Sequence, residues 1–529
     1  MKAFLLYPDR DFDPTMLVSR RDRSYARQRE PGLDLNQVLP WNHAALNQDL
    51  GLDILLNALA REDGFLFEVA LVALLNGVAE PDVIAYRQDI LRDCLRHGPV
   101  VRQVYAIVVE ALKAERKHYW STMARYPTGT LSHAVEVLGI FVTGLKSLRA
   151  VADQSAGRFD SRGLSRLFAM LQAELSDAYF DEINQHLKRL KFKGGVLVSA
   201  QLGTGNKAVN YTLRRPHPGD LGWLARLWPA SEEHTFYLHP RDEAGARALS
   251  ELRDRGVNLV ANALAQSMDH LSSFFQMLRT ELAFYVGCLN LYEHLRKLGA
   301  PICFPKPSRL DEETLSFAGL YDVCLAISMN GRPVGNDLDS SGKNLVVITG
   351  ANTGGKSTLL RSLGLAQLMM QAGMFVPAEG FSAEVRGELC THYKREEDAA
   401  MKSGKLDEEL SRMSEIVEHL RPGAMVLLNE SFASTNEREG SDIALQIVTA
   451  LAEKGVKVCY VTHLYHFAHQ LYQRNVPNAV FLRAERRPDG MRTFRLIEGG
   501  PLETSHGEDL YARIFEREER EDRQFSTAQ

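Results

Sequence analysis

No stretch of the 529 residues approaches the roughly 20 uninterrupted apolar positions that a membrane-spanning helix needs. The most apolar run, Gly364 to Ala378, is broken by Gln367 and Gln371, and charges stand near the amino terminus where a signal peptide carries its apolar core. Both absences point to a soluble, cytoplasmic protein without a membrane partner. Cysteine is scarce as well. Cys94, Cys288, Cys303, Cys324, Cys390 and Cys459 are scattered, mostly among apolar neighbours, and no C-x-x-C pair offers zinc or redox chemistry. They read as reduced core thiols. A large net charge is also missing: at −5 the chain has no global attraction for nucleic acid, so any such binding must come from local patches. There is no fixed-period repeat and no low-complexity block. What remains is an ordinary globular composition, 45% hydrophobic and 24% charged, in a chain long enough for about three or four structural units.

Residues 1–45 are polar and punctuated by proline, with basic residues at Arg20, Arg21, Arg23, Arg27 and Arg29, and read as an N-terminal arm. Nothing aromatic is regularly interleaved with these arginines for base stacking, so a solvated charged face is the simpler reading. From residue 46 to about 300 the pattern is helical. Leu52, Leu55, Leu56 and Leu59 form one stripe, Leu164, Leu167, Leu171 and Leu175 another, and Leu264, Met268, Leu271, Phe275 and Leu278 a third. Between about 194 and 240 the period changes. Val196-Leu197-Val198 and Val209 to Leu213 flank Gly203-Thr204-Gly205-Asn206, which has hairpin-turn chemistry, so a small β element is inserted into the helical unit.

After Pro301 the strand and helix signals alternate. Leu345 to Ile348 is an apolar run of strand length, Ser357 to Met370 is helical, and Gly373 is placed to end that helix. Further strands are expected at Met425 to Leu428 and Val456 to Val461, with a helix from Asp442 to Lys454 between them and Gly455 at its stop. This alternation argues for a parallel sheet with crossover helices over residues 301–515. A terminal hairpin from Val480 to Leu496, turning at Pro488-Asp489-Gly490, precedes a charged tail at 516–529.

The loop Gly350 to Ser357 fits G-x-x-x-x-G-K-[ST], and its placement between a strand and a helix is the context that pattern requires. Glycines let successive backbone N–H groups converge on phosphate oxygens, Lys356 reaches the terminal phosphates, and Ser357 can ligate Mg²⁺ at a helix N-terminus that favours anions. Nucleotide binding through Gly350, Asn352, Thr353, Gly354, Gly355, Lys356, Ser357 and Thr358 is the expectation. A second apolar strand ends at Asn429-Glu430. Glu430 suits a residue that orients or deprotonates water, and Asn429 sits where an acid usually helps hold the metal. A third strand ends at Thr462-His463, with His466 and His469 as neighbouring competitors. The grouping of His392 with Glu396, Glu397 and Asp398 lacks metal-ligand spacing, so no metal is assigned beyond nucleotide-bound Mg²⁺.

Thr349 to Thr358, T-G-A-N-T-G-G-K-S-T, resembles the T-G-P-N-M-G-G-K-S-T loop of the MutS mismatch-repair ATPases. Val376-Pro377-Ala378 looks like that family's V-P-A segment, Ser403-Gly404-Lys405 like the start of its S-G-R-S-T-F signature, and Asn429-Glu430 through Gly440 like its D-E-x-G-R-G-T-S stretch. Val461-Thr462-His463 is similar to its A-T-H switch and Ser505-His506-Gly507 to its S-Y-G. The resemblance is specific from about 340 to 510. It implies an α-helical lever and core with a β insertion, joined to an α/β P-loop ATPase domain of the ABC type. It further implies ATP and Mg²⁺ as cofactors, Glu430 and His463 as catalytic groups, Ser357 and Asn429 at the metal, Ser403 reaching a partner's γ-phosphate, and a homodimer through the ATPase domains.

Departures accompany the matches. Asn429 replaces an acid, and Leu406-Asp407-Glu408 replaces the expected S-T-F. The family's mismatch wedge is a Phe-x-Glu in a separate N-terminal domain, whereas the one such tripeptide ahead of the ATPase region, Phe180-Asp181-Glu182, lies in a helical pattern. The expected protein is a MutS-like ATPase acting on DNA in repair or recombination without the wedge. Lys188, Arg189, Lys191 and Lys193 are candidate phosphate contacts, with a solvated helix end as the competing reading. The alternative function is an ATP-dependent protein scaffold that does not touch DNA; an ABC-type ATPase of another DNA transaction or of transport is the residual reading.

Overall fold

The computed structural model describes residues 1–12, 39–118, 126–193, 195–214, 237–239, 241–350, 354–395, 404–487 and 492–502. The arginine cluster at 20–29, Asn352, Thr353, Ser403, the Pro488-Asp489-Gly490 turn, Ser505-His506-Gly507 and the charged tail therefore lie outside the described residues. The chain divides into two compact units, one of Met1–Phe4 with Pro99–Leu282, the other of Leu5–Gly98 with the chain from Ala283 onward. These units do not follow the linear division near residue 300, because the helices ahead of Pro99 belong to the unit that holds the strands after Ala283.

The first unit is helical because its apolar residues recur every three or four positions. Along Pro127–Ser155, Leu131, Val135, Leu138, Phe141, Val142, Leu145, Leu148 and Ala152 are buried. The following helix, Arg162–Glu174, packs against it; Leu164, Leu167 and Leu171 of the leucine stripe expected from the sequence are buried along it beside Phe168, and the fourth, Leu175, is the buried residue that caps its end. In Asp177–Leu190 the Ser176 hydroxyl accepts the Tyr179 N–H, and Phe180 is the buried residue. Phe180 is thus an ordinary core side chain, worth about 1.5–3 kcal/mol of burial. The β insertion is a hairpin of β1 (Val198–Leu202) and β2 (Ala208–Leu213), antiparallel, turning through Gly205 at φ 72° and Asn206 at φ 57°. Its foot joins a cluster around Leu131, Val135, Val257 and Ala261, while Leu202 near the tip is 80% exposed. The helix Glu243–Lys297 is about 80 Å long at 1.5 Å per residue. Its residues through Leu282 belong to the first unit and those from Ala283 to the second.

In the second unit the first residues are not a polar arm: Leu5, Leu6 and Phe12 are buried. The Tyr285 hydroxyl donates to the Leu5 carbonyl at 2.6 Å, and Arg87 Nε donates to the Leu6 carbonyl at 2.8 Å. A short apolar run among charged neighbours was enough to anchor this segment. The strands of the unit are β3 (Lys306–Ser308), β4 (Leu315–Leu320), β5 (Asn336–Asp339), β6 (Leu345–Thr349), β7 (Gly380–Glu384), β8 (Leu389–Tyr393), β9 (Met425–Asn429), β10 (Lys457–Val461), β11 (Ala479–Arg486) and β12 (Arg492–Glu498). Among the described residues they form a six-stranded sheet of order β12-β11-β6-β10-β9-β8 and a four-stranded sheet of order β3-β7-β4-β5. In the larger sheet every pairing is parallel except β11 with β12. β6, β9 and β10 match the expected strands within a residue or two, and the antiparallel β11–β12 pair matches the expected hairpin.

The helix Lys356–Ala372 is buried on nearly every side, which its apolar content requires. It ends at Gly373, whose φ of 85° is the left-handed cap geometry that glycine adopts without a Cβ penalty. Close approach matters at Gly364, where an added Cβ would sit 2.7 Å from Leu427 of β9 and 2.8 Å from Leu50. On the sheet's other face, Val426, Leu428, Val458 and Tyr460 pack with Ala444, Val448 and Phe467 from the helices Glu437–Glu453 and Tyr465–Gln473.

Candidate functional site

The register of the parallel strands brings four chain segments level at one edge. Val461 pairs with both Ile348 and Asn429, and Asn429 pairs with Tyr393. One residue further along each strand stand Thr349, Thr462, Glu430 and Lys394. Carboxyl ends of parallel strands are where open α/β sheets place ligands, because the loops leaving them face one another there. A cavity of about 380 Å³ opens at this edge, lined by Gly354, Gly355, Lys356, Ser357, Thr358, Lys394, Glu430 and His463.

The Gly350 to Ser357 loop leaves β6 and enters the helix Lys356–Ala372. Gly350 has φ 112°, and a Cβ there would lie 2.9 Å from the Ala484 amide; Gly355 has φ 90°, with a Cβ 3.2 Å from the Phe494 carbonyl. Both positions therefore require glycine on two counts, backbone conformation and space. No side chain caps the helix that begins at Lys356. Its first N–H groups and the positive end of its dipole are thus directed at the cavity. Lys356 is 5% exposed, and its ammonium donates to the Gly350 carbonyl at 2.8 Å and stands 3.5 Å from His463 Nε2. The Ser357 hydroxyl donates to Asn429 Oδ1 at 2.9 Å, which joins the two residues expected at the metal.

Glu430 and His463 face each other across the edge. Glu430 Oε2 accepts the His463 backbone N–H at 3.2 Å, and Oε1 lies 3.1 Å from His463 Nε2. Burial raises the Glu430 carboxyl above its ordinary range, against the pull of Lys356. Burial likewise lowers the Lys356 ammonium, with Glu430 opposing. His463 is pushed down to about 4, first by burial and then by Lys356 and Lys394, so it is neutral at pH 7 and its contact with Glu430 is a hydrogen bond rather than an ion pair. His466 bonds Gln470 at 2.7 Å and His469 stacks on Tyr465, so neither of these competitors lines the cavity.

Behind Glu430 the backbone takes two left-handed residues, Glu430 at φ 56° and Phe432 at φ 64°, a conformation that non-glycine residues adopt at a cost of about 1–3 kcal/mol. Ser431 between them is held from three sides. Its hydroxyl has two acceptors within reach, the His392 carbonyl at 2.7 Å and His392 Nδ1 at 2.8 Å, and its carbonyl accepts from the Tyr460 hydroxyl at 2.5 Å. His392 Nε2 bonds the Glu409 carbonyl at 2.9 Å, and burial pushes this ring down to about 4. A neutral ring with Nε2–H donating to Glu409 fits these contacts. His392 is thus a structural histidine one side chain removed from Glu430. Among the described residues no group of three or more His, Cys, Asp or Glu is arranged to hold a metal.

Of the site residues expected from sequence, Gly354, Gly355, Lys356, Ser357, Thr358, Glu430 and His463 line the cavity, Gly350 and Asn429 contact its lining, and Asn352, Thr353 and Ser403 lie outside the described residues. Lys394 lines the cavity and was not expected. Its signal is weak in sequence because β8, Leu-Cys-Thr-His-Tyr, mixes polar and apolar residues although all five are buried.

A multidomain α/β chain, with a helical unit and an anion-ready cavity at the carboxyl edge of a parallel sheet, is the class these observations define. The model of the MutS2 N-terminal domain matches residues 79–298, and that of MutS domain V matches residues 346–514. The chain belongs to the MutS family. Among its relatives, Endonuclease MutS2 of Lacticaseibacillus casei (strain BL23) is 33% identical over 271 residues, covering 49% of this chain and 34% of that protein. Endonuclease MutS2 of Streptococcus sanguinis (strain SK36) is 25% identical over 408 residues, covering 74% of this chain and 50% of that protein. MutS protein homolog 4 of Mus musculus is 24% identical over 274 residues, 50% of this chain and 28% of that protein. The chain therefore spans half or less of the length of these relatives. No helix among the described residues is long and apolar enough to cross a membrane.

Proposed function

We propose that this protein binds and hydrolyses ATP in the cavity at Lys356 and uses the cycle to switch its hold on DNA in repair or recombination. The observation that carries the reading is the convergence of an uncapped helix N-terminus, Lys356, the Ser357–Asn429 pair and the Glu430–His463 pair around one cavity of about 380 Å³. A triphosphate fits that set of groups. Glycines at positive φ clear the backbone for phosphate oxygens, and the helix dipole and Lys356 supply positive charge. Ser357 Oγ and Asn429 Oδ1, 2.9 Å apart, are hard oxygen donors suited to hold Mg²⁺, which would neutralise charge developing on the phosphates. Glu430 is placed to accept the proton of an attacking water, and its raised proton affinity favours that role near neutral pH. Neutral His463, bonded to Glu430 and beside Lys356, is placed to orient the terminal phosphate without adding charge. Gly350, Asn352, Thr353, Gly354, Gly355 and Thr358 complete the phosphate contacts in this reading.

The same reading includes a P-loop fold of the ABC type for residues 301–515, a helical lever and core over 46–300, and a dimer through the ATPase units in which Ser403 completes the partner's pocket. Family membership supports DNA as the partner. The test is binding to duplex, mismatched, branched and single-stranded DNA at several salt concentrations, with and without ATP. Salt-dependent binding that ATP changes in the wild type but not in Lys356→Ala is expected. Binding to none of the panel under any condition would replace DNA with a protein partner.

A further inference from the structure

The lining of the cavity carries an imbalance of charge. Two ammonium groups, Lys356 and Lys394, stand against one carboxylate, Glu430, and the pair of oxygen donors at the expected metal position, Ser357 and Asn429, is neutral. Lys356 donates to the Gly350 carbonyl at 2.8 Å and stands 3.5 Å from His463 Nε2. Lys394 is different. Its backbone N–H is fixed to the Asn429 carbonyl at 2.9 Å, which sets the residue one step past the end of β8. Its side chain is exposed, and among the described residues no hydrogen bond or ion pair holds its ammonium. The sheet order puts β6, which feeds the Lys356 loop, three strand spacings from β8, so the two lysines approach from flanks about 14 Å apart with His463 and Glu430 between them.

We propose that Lys394 is a second phosphate-binding lysine: it contacts the terminal phosphate of the bound nucleoside triphosphate from the flank opposite the Lys356 loop. This rests on the ATP reading above and extends it. Three features point the same way. The backbone of Lys394 is pinned to the strand that carries Glu430, so the ammonium is tethered close to the reacting end rather than at the far end of a loop. A neutral Ser357–Asn429 pair attracts a divalent cation less strongly than a carboxylate would, which leaves phosphate charge for the protein to neutralise. A lysine ammonium on a four-carbon stem acts as a mobile point charge, able to follow a phosphate as its geometry changes. The consequence is a site whose affinity for ATP depends less on Mg²⁺ than on its own two lysines, and whose preference for ATP over ADP comes in part from Lys394.

The experiment is equilibrium titration of the full chain with ATP and with ADP, in Mg²⁺ and in excess EDTA, for the wild type, Lys394→Gln, Lys394→Arg and Lys356→Ala. Lys394→Gln is expected to weaken ATP about tenfold in EDTA and less in Mg²⁺, as a charge-assisted phosphate contact is lost, with ADP changed less than about twofold. Lys394→Arg retains the charge and is expected to stay within about threefold of wild type. Because the side chain is exposed, the substitutions remove no packing, and unchanged circular dichroism and thermal unfolding establish that the fold is kept. Wild-type affinity for ATP in Lys394→Gln, or an equal loss of ATP and ADP, would overturn the assignment of Lys394 while leaving the nucleotide site standing. Absence of nucleotide binding by the wild type would overturn the ATP reading itself, and Lys394 with it.

Discussion

Glu430→Gln separates binding from chemistry at this site. The substitution is nearly isosteric, and both hydrogen bonds of the carboxylate can be replaced: the amide oxygen accepts the His463 backbone N–H now bonded at 3.2 Å, and the amide nitrogen donates to His463 Nε2 at the 3.1 Å contact once the neutral ring carries its proton on Nδ1 instead. What disappears is the proton acceptor. General-base catalysis contributes about 10²–10⁴-fold, so hydrolysis is expected to fall by that factor, about 3–5 kcal/mol at 1.36 kcal/mol per decade. Binding of ATP is expected to hold or tighten, since one negative charge leaves a pocket that must accept a polyanion. The assay is single-turnover phosphate release at saturating Mg²⁺-ATP, paired with an equilibrium titration. A rate within threefold of wild type, or loss of binding in a folded protein, would refute the assigned role. The wild-type rate should also decline on the acid side above the ordinary carboxylate range, because burial raises the Glu430 carboxyl and the basic form is lost as pH falls through that raised value.

Two further outcomes are expected. Asn429→Asp keeps an acceptor for Ser357 Oγ and adds a charge, so the Mg²⁺ concentration for half-maximal hydrolysis should drop; an unchanged or higher requirement would mean that this position does not limit metal binding. His392 has a folded-state value of about 4 against an ordinary 6.5, so the unfolded chain takes up its proton first and stability is lost as pH falls from 6.5 toward 4. Between pH 7 and pH 5 this amounts to about 1–2 kcal/mol, and urea unfolding of His392→Gln should show a correspondingly smaller drop; an identical drop in the variant would refute the buried neutral ring.

The parts of the fold that were legible in the sequence are those in which local pattern and tertiary demand agree. Leu345 to Ile348 is apolar because β6 is central and covered on both faces, and Gly373 marks the helix end because the cap requires φ 85°. The leucines of Arg162–Glu174 are spaced for one helical face and bury one face. Where these diverge, the sequence misleads. β3 (Lys-Pro-Ser) and β5 (Asn-Asp-Leu-Asp) are short, polar edge strands whose pairing depends on β7 and β4 rather than on their own residues. Leu5 and Leu6 look like part of a polar arm until Arg87 and Tyr285, distant in the chain, bond their carbonyls. At the site, Lys356, Ser357, Glu430 and His463 could be read because each follows an apolar strand or sits in a spaced loop. Lys394 could not, since its place depends on the register of β8 against Asn429.

The central claim, a nucleotide cavity built on Lys356, is met most directly by calorimetric titration of the purified chain with Mg²⁺-ATP. One binding event per chain in the wild type, abolished in Lys356→Ala that retains the wild-type unfolding transition, is the result expected. No heat of binding in the wild type, or equal affinity in the two proteins, would contradict the account.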